Sequence, residues 1–474
     1  MKIMLINPPG HYARAGSRWP HKVDGGFSYV PFPFWLAYAA AFLQKEGFNV
    51  DLKDCVALRW DSAKLKDYVG NFKPDLVVME TSAPSYKFDI ETLKIITDNG
   101  LIPSAAVGYH ATAIPGMHLQ DGFEYAIIGE YELPLLDLAR YIDGVEKSLP
   151  EAGIASKVNP NVLHGPVVEE LDSIPLPARD LLPMDTYVDV FAFGRSIQVI
   201  TSRGCPFKCS FCCETILPGK AGARFRSAEN VCDEVEFLIK KHNPDEIYFD
   251  DSSFTINRNH VLAICDQMNK RGIKIKWSCM ADAKVNEEEL KKMAESGCRA
   301  IKFGVESADQ DVLAAIPKHV DLDDVRQTVK NCKKYNIKTH ATFVFGLPGE
   351  TKEKASKTID FVLSLGTDTA QFSVATPYPG TRFYKMAEEN GWLISKDWED
   401  YGCNVVIEYP GYTKSDILKT HKVALARWQR HLAFGKPSTV WHYIRTAYRR
   451  GGVIAVVNLF GEGINQLLKG LKWF

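Results

Sequence analysis

The sequence predicts an α/β protein made of two βα domains followed by a helical, basic tail. Three observations carry that prediction. Short apolar runs alternate with helical segments from residue 1 to about 150. The same rhythm restarts near 195, and a Pro-rich, weakly periodic stretch separates the two. A chain of 474 residues holds a few domains at ~100–200 residues each and buries a large core without disulfides. Its 57 Lys and Arg balance 58 Asp and Glu, which excludes a uniformly basic nucleic-acid coat.

In the first domain, 2–7 reads as a strand, 33–46 as a helix ended by Gly47, and 48–53 as a strand. Residues 75–80 form a continuous apolar run of the buried-strand type, with a helix following through Lys94. Strands at 104–108 and 125–128 and a helix at 132–142 complete a parallel βαβ pattern, which binds ligands beyond the carboxyl ends of its strands. The loops there hold Asn7, Pro8 and Pro9, then Thr81 and Ser82, then Gly108, Tyr109 and His110, then Gly129 and Glu130. Their mostly small or polar side chains let a large planar ligand approach the backbone. Plain turn chemistry accounts for the same composition.

Residues 151–190 read as an ordered linker. Strands are expected at 196–201, 246–250, 273–278, 300–304, 338–346 and 370–375. Helices fall between them at 227–242, 257–271, 286–296, 321–335 and 351–365. Six βα units over 191–390 predict a partial (βα)6 barrel.

Four of the eleven cysteines crowd between 205 and 213, an arrangement unlike a secreted disulfide framework. Cys205, Cys209 and Cys212 form a C-x3-C-x2-C set directly after the first barrel strand. Thiolates suit zinc or iron–sulfur centres. A structural zinc site needs a fourth ligand, and no second Cys/His pair follows at a zinc-finger interval. Three ligands on a four-iron cube leave one iron open, as catalysis requires. A zinc knuckle or chance crowding remain the plain alternatives.

The cysteine set, with Phe211 before its last member, resembles the radical S-adenosylmethionine superfamily. The resemblance extends over about 190–390. It implies a 4Fe-4S cluster held by Cys205, Cys209 and Cys212, and S-adenosylmethionine bound at the open iron and cleaved to a radical. It also implies contacts from Phe211, from Asp250, Asp251 and Ser252 to the methionine amino group, from Glu306 and Ser307 to the ribose, and from Gly346 and Leu347 near the adenine. The amino-group motif is often Gly-Gly-Glu and here reads Asp-Asp-Ser, so the choice between Asp250 and Asp251 stays open.

A Rossmann-like domain of residues 1–150 ahead of such a barrel resembles the cobalamin-binding subgroup, including the anaerobic magnesium-protoporphyrin ester cyclase and hopanoid-associated relatives. That resemblance implies cobalamin over Asn7, Pro8, Pro9, Thr81, Ser82, Gly108, Tyr109, His110, Gly129 and Glu130. The Asp-x-His-x-x-Gly lower-ligand motif is absent, as in most of the subgroup, so His110 reads as a pocket or core residue. Cys55 is the domain's single cysteine, against a methylthiotransferase's second cluster. The implied chemistry is modification of an unactivated carbon, by methylation or by a non-methylating cyclisation or rearrangement, with flavodoxin or ferredoxin as electron donor. A non-catalytic corrinoid or zinc-binding sensor is the reading from another class.

Over 391–474 a helical region is expected. From 411 onward it carries eleven Lys and Arg against Asp416 and Glu462, interleaved with aromatics such as Trp428, Trp441 and Tyr443. Such a tail suits a membrane surface, or packs on the barrel with its charges solvated; nucleic acid is not expected. No apolar run reaches the ~18 residues of a membrane span, and the N-terminus reads as a strand rather than a signal peptide. A cytoplasmic location is therefore expected, with peripheral contact on the inner face of the membrane and a small-molecule or lipid substrate.

Overall fold

The computed structural model describes residues 1–13, 21–22, 30–98, 100–187, 194–217, 222–402, 404–435 and 444–445. Two six-stranded sheets organise it. In the first, β1 (Lys2–Asn7) lies between the edge strand β2 (Asn49–Asp54) and β3 (Leu76–Glu80), followed by β4 (Ser104–Val107) and β5 (Tyr125–Ile127), all parallel. The apolar run of β3 is buried along its whole length, as a strand covered on both faces must be. A sixth strand, β6 (Ile154–Ser156), pairs antiparallel with β5. The first sheet thus ends inside the segment expected as linker. That strand is three residues long with no periodicity of its own, so only its pairing reveals it.

The helix Phe34–Lys45 is buried continuously from Phe34 to Leu43. A helix apolar all round needs cover on all sides. Beyond its own sheet, it meets the second domain through Trp35 and Tyr38, and the linker through the Ala37 carbonyl, which accepts from Ala178 N at 3.0 Å. The helix Ser62–Phe72 was not anticipated from the sequence; it carries few buried positions and packs on the helix Tyr86–Ile96.

The second sheet runs in chain order as β7 (Ser196–Val199), then β10 (Glu246–Phe249), β11 (Lys276–Ala281), β12 (Cys298–Glu306), β13 (Lys338–Phe345) and β14 (Thr369–Val374), every pair parallel. Between β7 and β10 a short antiparallel ladder joins β8 (Ser202–Arg203) to β9 (Arg224–Phe225). The expected helices appear as Ala228–His242, Arg258–Lys270, Glu287–Glu295, Leu322–Lys334 and Lys352–Leu365. This is the six-unit partial barrel.

Of the tail, the helix Lys414–Gly435 packs against the last barrel strand. His421 Nε2 meets the Phe372 carbonyl at 3.1 Å, Trp428 stands edge-on to Phe372, and Arg427 pairs with Asp360 at 2.8 Å. This part of the basic region therefore packs on the barrel. The later tail residues, 453–460 among them, lie outside the described residues except Ile444 and Arg445. No helix among the described residues is long and apolar enough to cross a membrane.

Two buried polar centres set local stability. Glu234 accepts from Arg179 at 2.6 Å and from Arg226 at 2.5 Å, and these guanidiniums hold its carboxyl below the usual range although burial opposes them. Glu234→Ala leaves two buried guanidiniums unpaired. It should cost about 3–5 kcal/mol in urea unfolding of the purified chain, and a loss under about 1 kcal/mol would show that water reaches the pair.

In the first domain, His118 is fully buried. As the neutral ring it donates from Nδ1 to the Ile114 carbonyl at 3.1 Å and accepts at Nε2 from the Thr81 hydroxyl at 2.9 Å. Burial pushes it from 6.5 down to about 4. The unfolded chain takes up this proton first, so His118 makes stability fall as pH drops from 6.5 toward 4. Asp54, pushed up by burial to about 6, acts in the opposite sense, so the variant comparison isolates the histidine. Between pH 7 and 5 the wild type should lose about 2 kcal/mol more than His118→Gln in urea melts of the metal-free chain. Equal losses would place a proton on the folded ring.

Candidate cofactor-binding site

The three-cysteine loop begins where β7 ends. Its first turn is fixed by Asp251, which accepts from Thr201 N at 2.9 Å and Ser202 N at 2.5 Å, and from both hydroxyls at 3.1 and 2.7 Å. Burial pushes the Asp251 carboxyl up, and these donors oppose the shift. Gly204 follows at φ +84°, where a Cβ would stand 2.5 Å from the Gly222 carbonyl oxygen, so only glycine fits. Beyond it, Cys205, Cys209 and Cys212 are each half-buried. Cys212 N donates to the Cys209 carbonyl at 3.2 Å, and the loop is stitched to the barrel by Ser210 N to Ile316 O at 3.2 Å and Phe383 N to Ser210 O at 2.8 Å.

Burial pushes the Cys209 thiol up to about 11, against the pull of Lys318. A thiol so placed ionises when a bound metal replaces its proton. Cys213 is buried, its thiol raised further by burial and by Cys212, and it belongs to the core. No three His, Cys, Asp or Glu side chains among the described residues gather as ligands of one ion. Ligands of a cube each meet a different iron and stand apart by its width, so three half-buried thiols on one loop fit a four-iron cluster.

The two aspartates at the end of β10 divide their work. Asp251 is committed to the loop, whereas Asp250 is partly exposed and accepts from Gln198 Nε2 at 2.9 Å. Ser252 beside them is partly exposed. Glu306 ends β12 at φ +67° after a register shift, and its Oε1 accepts from Lys318 Nζ at 2.5 Å. Ser307 is fully buried and serves the chain, accepting from Asp309 N at 3.2 Å. Phe211 is buried in the core. Over Gly346 the space is filled by Ile417, whose carbon would lie 3.2 Å from an added Cβ. The Gly346 carbonyl accepts from Tyr409, and Leu347 is fully buried. The structure gives this turn to packing against the C-terminal segment.

Sequence reasoning missed Lys318. It is the single Lys or Arg between Lys302 and Arg326, and it stands beside both Glu306 and Cys209. A lone cation following the β12 segment was the available signal.

In the first domain, Asn7 ends β1 while Thr81, Gly108 and Gly129 come after the neighbouring β3, β4 and β5, and all four share one edge of the sheet. Pro8, Pro9, Ser82 and Glu130 are buried beside them. Asn7 Nδ2 donates to Asp54 at 2.9 Å, and Ser82 Oγ lies 2.7 Å from Ser85 Oγ. His110 is 4% exposed and packed among the rings of Tyr86, His118 and Trp398; burial lowers it well below 6.5. It lies in the core of the first domain, behind the strand-end residues, rather than open to a ligand over them.

This edge faces the cysteine loop. Tyr109 donates to Glu214 at 3.2 Å, and His164 Nε2 meets the Ile216 carbonyl at 2.7 Å. At Gly129, φ +107°, a Cβ would stand 3.3 Å from the Leu217 carbonyl oxygen.

A three-thiol loop at the mouth of a six-stranded parallel half-barrel defines a radical S-adenosylmethionine enzyme. Residues 199–362 match the Radical SAM superfamily model, and the chain belongs to that superfamily. It is 32% identical over 434 residues to an uncharacterized methyltransferase of Pyrococcus horikoshii, covering 88% of this chain and 90% of that protein. It is 27% identical over 438 residues to the anaerobic magnesium-protoporphyrin IX monomethyl ester cyclase of Cereibacter sphaeroides, covering 88% and 68%. Among solved structures, the fold is similar to the radical S-adenosylmethionine methyltransferase TsrM of Kitasatospora setae, with cobalamin and a [4Fe-4S] cluster bound. The TM-score is 0.68 at 20% identity, over 83% of this chain and 79% of that one.

Cys209→Ala should remove the iron and sulfide of anaerobically reconstituted protein and abolish S-adenosylmethionine cleavage. Cys213→Ala should keep both, apart from a core penalty of about 1 kcal/mol. Full iron content in Cys209→Ala would refute the assignment.

Proposed function

We propose that this chain is a cobalamin-dependent radical S-adenosylmethionine enzyme that methylates an unactivated carbon of a lipid-like or tetrapyrrole small molecule. The observation that carries the reading is the apposition of two ligand-binding edges. The carboxyl ends of β4 and β5 meet the cysteine loop through Tyr109, Gly129 and Glu130. The methyltransferase relative covers both domains and supports the methylating branch.

When bound, the cluster supplies an electron for S-adenosylmethionine cleavage, and cobalamin supplies a methyl group. Cys205, Cys209 and Cys212 would hold the cluster. Asp250, the less buried aspartate, would accept from the methionine ammonium, and Lys318 would neutralise its carboxylate. Glu306 would accept from ribose hydroxyls. Any adenine contact at Gly346 and Leu347 would be through backbone, because Ile417 covers the glycine. Asn7, Thr81, Gly108 and Gly129 would let the corrin approach the strand ends. A flavodoxin or ferredoxin would deliver the electron, and the tail beyond Gly435 would bring the protein to a membrane surface holding the substrate.

A second reading, radical cyclisation without methyl transfer, is favoured by the cyclase relative. The two separate in one assay. Reconstituted enzyme is incubated anaerobically with cobalamin, reductant, S-adenosylmethionine and a membrane-lipid extract, and 5′-deoxyadenosine and S-adenosylhomocysteine are quantified together. Matched, cobalamin-dependent formation of both is the expected result. Deoxyadenosine without homocysteine product would replace methylation by the cyclase reading, and neither product in a cluster-loaded enzyme would remove both.

A further inference from the structure

Arg203 stands two residues before Cys205 and is 4% exposed. Its Nη1 donates to Glu130 Oε2 at 3.1 Å and its Nη2 to Glu132 Oε1 at 2.7 Å, both in the loop and helix start beyond β5 of the first domain. Its planar face lies over Trp35 at 4.6 Å and Tyr38 at 5.1 Å, on the helix Phe34–Lys45 of that same domain. Across the β8–β9 ladder, Arg224 takes the other oxygen of Glu130 and the Val168 carbonyl. Two guanidiniums and two carboxylates thus cancel inside one buried cluster at the domain junction.

The cluster is poorly suited to serve stability alone, since well-packed apolar residues replace buried ion pairs at little or no cost. What it does supply is direction. A guanidinium held by two separate carboxylates and sandwiched against two rings has one orientation, and Lys cannot reproduce it. Gly204, which tolerates no Cβ, leaves one tightly constrained residue between that anchor and Cys205. Downstream of the cysteines, Tyr109 of the first domain on Glu214 and His164 of the following segment on Ile216 hold the other flank.

We propose that Arg203 is a positioning residue that locks the cysteine loop against the Glu130–Glu132 segment, so that the sites on the two domains keep one separation and orientation. The consequence for methyl transfer rests on the functional reading above; the lock itself does not.

The test compares Arg203→Met with the double variant Arg203→Met/Glu132→Met. The single change leaves one buried carboxylate in excess, whereas the double change leaves the balanced Glu130–Arg224 pair. The double variant should therefore recover most of the melting temperature that the single variant loses. Two readouts should stay altered in it. Amide hydrogen exchange of the ligand-free protein over 203–212 should be faster by ~10-fold, as local opening becomes easier. In the reconstituted enzyme, methyl product per deoxyadenosine should fall ~10- to 100-fold at unchanged iron content, the scale expected of an ångström misplacement.

Wild-type exchange and wild-type coupling in a folded double variant would overturn the proposal. If the double variant does not fold, Arg203→Lys, which keeps the charge without the fork, takes its place. It should show the same faster exchange and loss of coupling, and wild-type values there would equally overturn the proposal. Should the wild type make no methyl product at all, the functional reading fails, while the exchange result still decides whether Arg203 locks the loop.

Discussion

A cysteine loop that leaves the end of a strand has only a short ladder to hold it, here Ser202 and Arg203 against Arg224 and Phe225, so its remaining backbone donors need another acceptor before its thiols can hold a fixed geometry. Here that acceptor is one buried carboxylate. Asp251 gathers two backbone N–H groups and two hydroxyls from Thr201 and Ser202, and the Ile200 carbonyl is taken by Arg226, itself fixed by Glu234. A buried carboxylate is tolerable only when its lone pairs are filled. The same requirement that satisfies Asp251 therefore freezes the turn into Cys205. Everything proposed for the site depends on this exchange between adjacent barrel strands.

The second constraint is the junction between the domains. Charge placed at a domain junction is expensive unless it cancels locally, and Arg203, Arg224, Glu130 and Glu132 do cancel. Around them lie Trp35, Tyr38 and the apolar helix Phe34–Lys45, which serves both domains as core. The two βα units are in consequence joined by packed and directional contacts as well as by the chain. This suits chemistry in which groups bound on separate domains have to meet.

The tail shows why composition is a weak guide to partners. A basic, aromatic stretch suits a lipid surface, yet over Lys414–Gly435 Trp428 faces Phe372 and Ile417 closes over Gly346. Basic residues on such a helix sit on its solvent side while the aromatic and aliphatic ones bury, and a list of residue types does not separate those faces.

The fold class, the six barrel strands and the three cysteines were legible in the sequence because each rests on local pattern. Buried parallel strands read as apolar runs, barrel helices as amphipathic repeats with polar caps, and the cysteine set as a fixed short spacing. Choices between near-equal neighbours needed the tertiary structure. Asp250 and Asp251 are adjacent carboxylates, and only the approach of the loop from β7 commits Asp251. Gly346 and Leu347 belong to a recognisable motif, but a helix some seventy residues later covers them. The strand Ile154–Ser156 and the Arg203 cluster carry no local signature, and Lys318 carries only that of a lone cation. Their meaning comes from partners distant in the chain, Glu306, Tyr125–Ile127 and Glu130 with Glu132. Periodicity and spacing are properties of a short stretch of chain. Burial and charge pairing exist only once remote segments have been brought together.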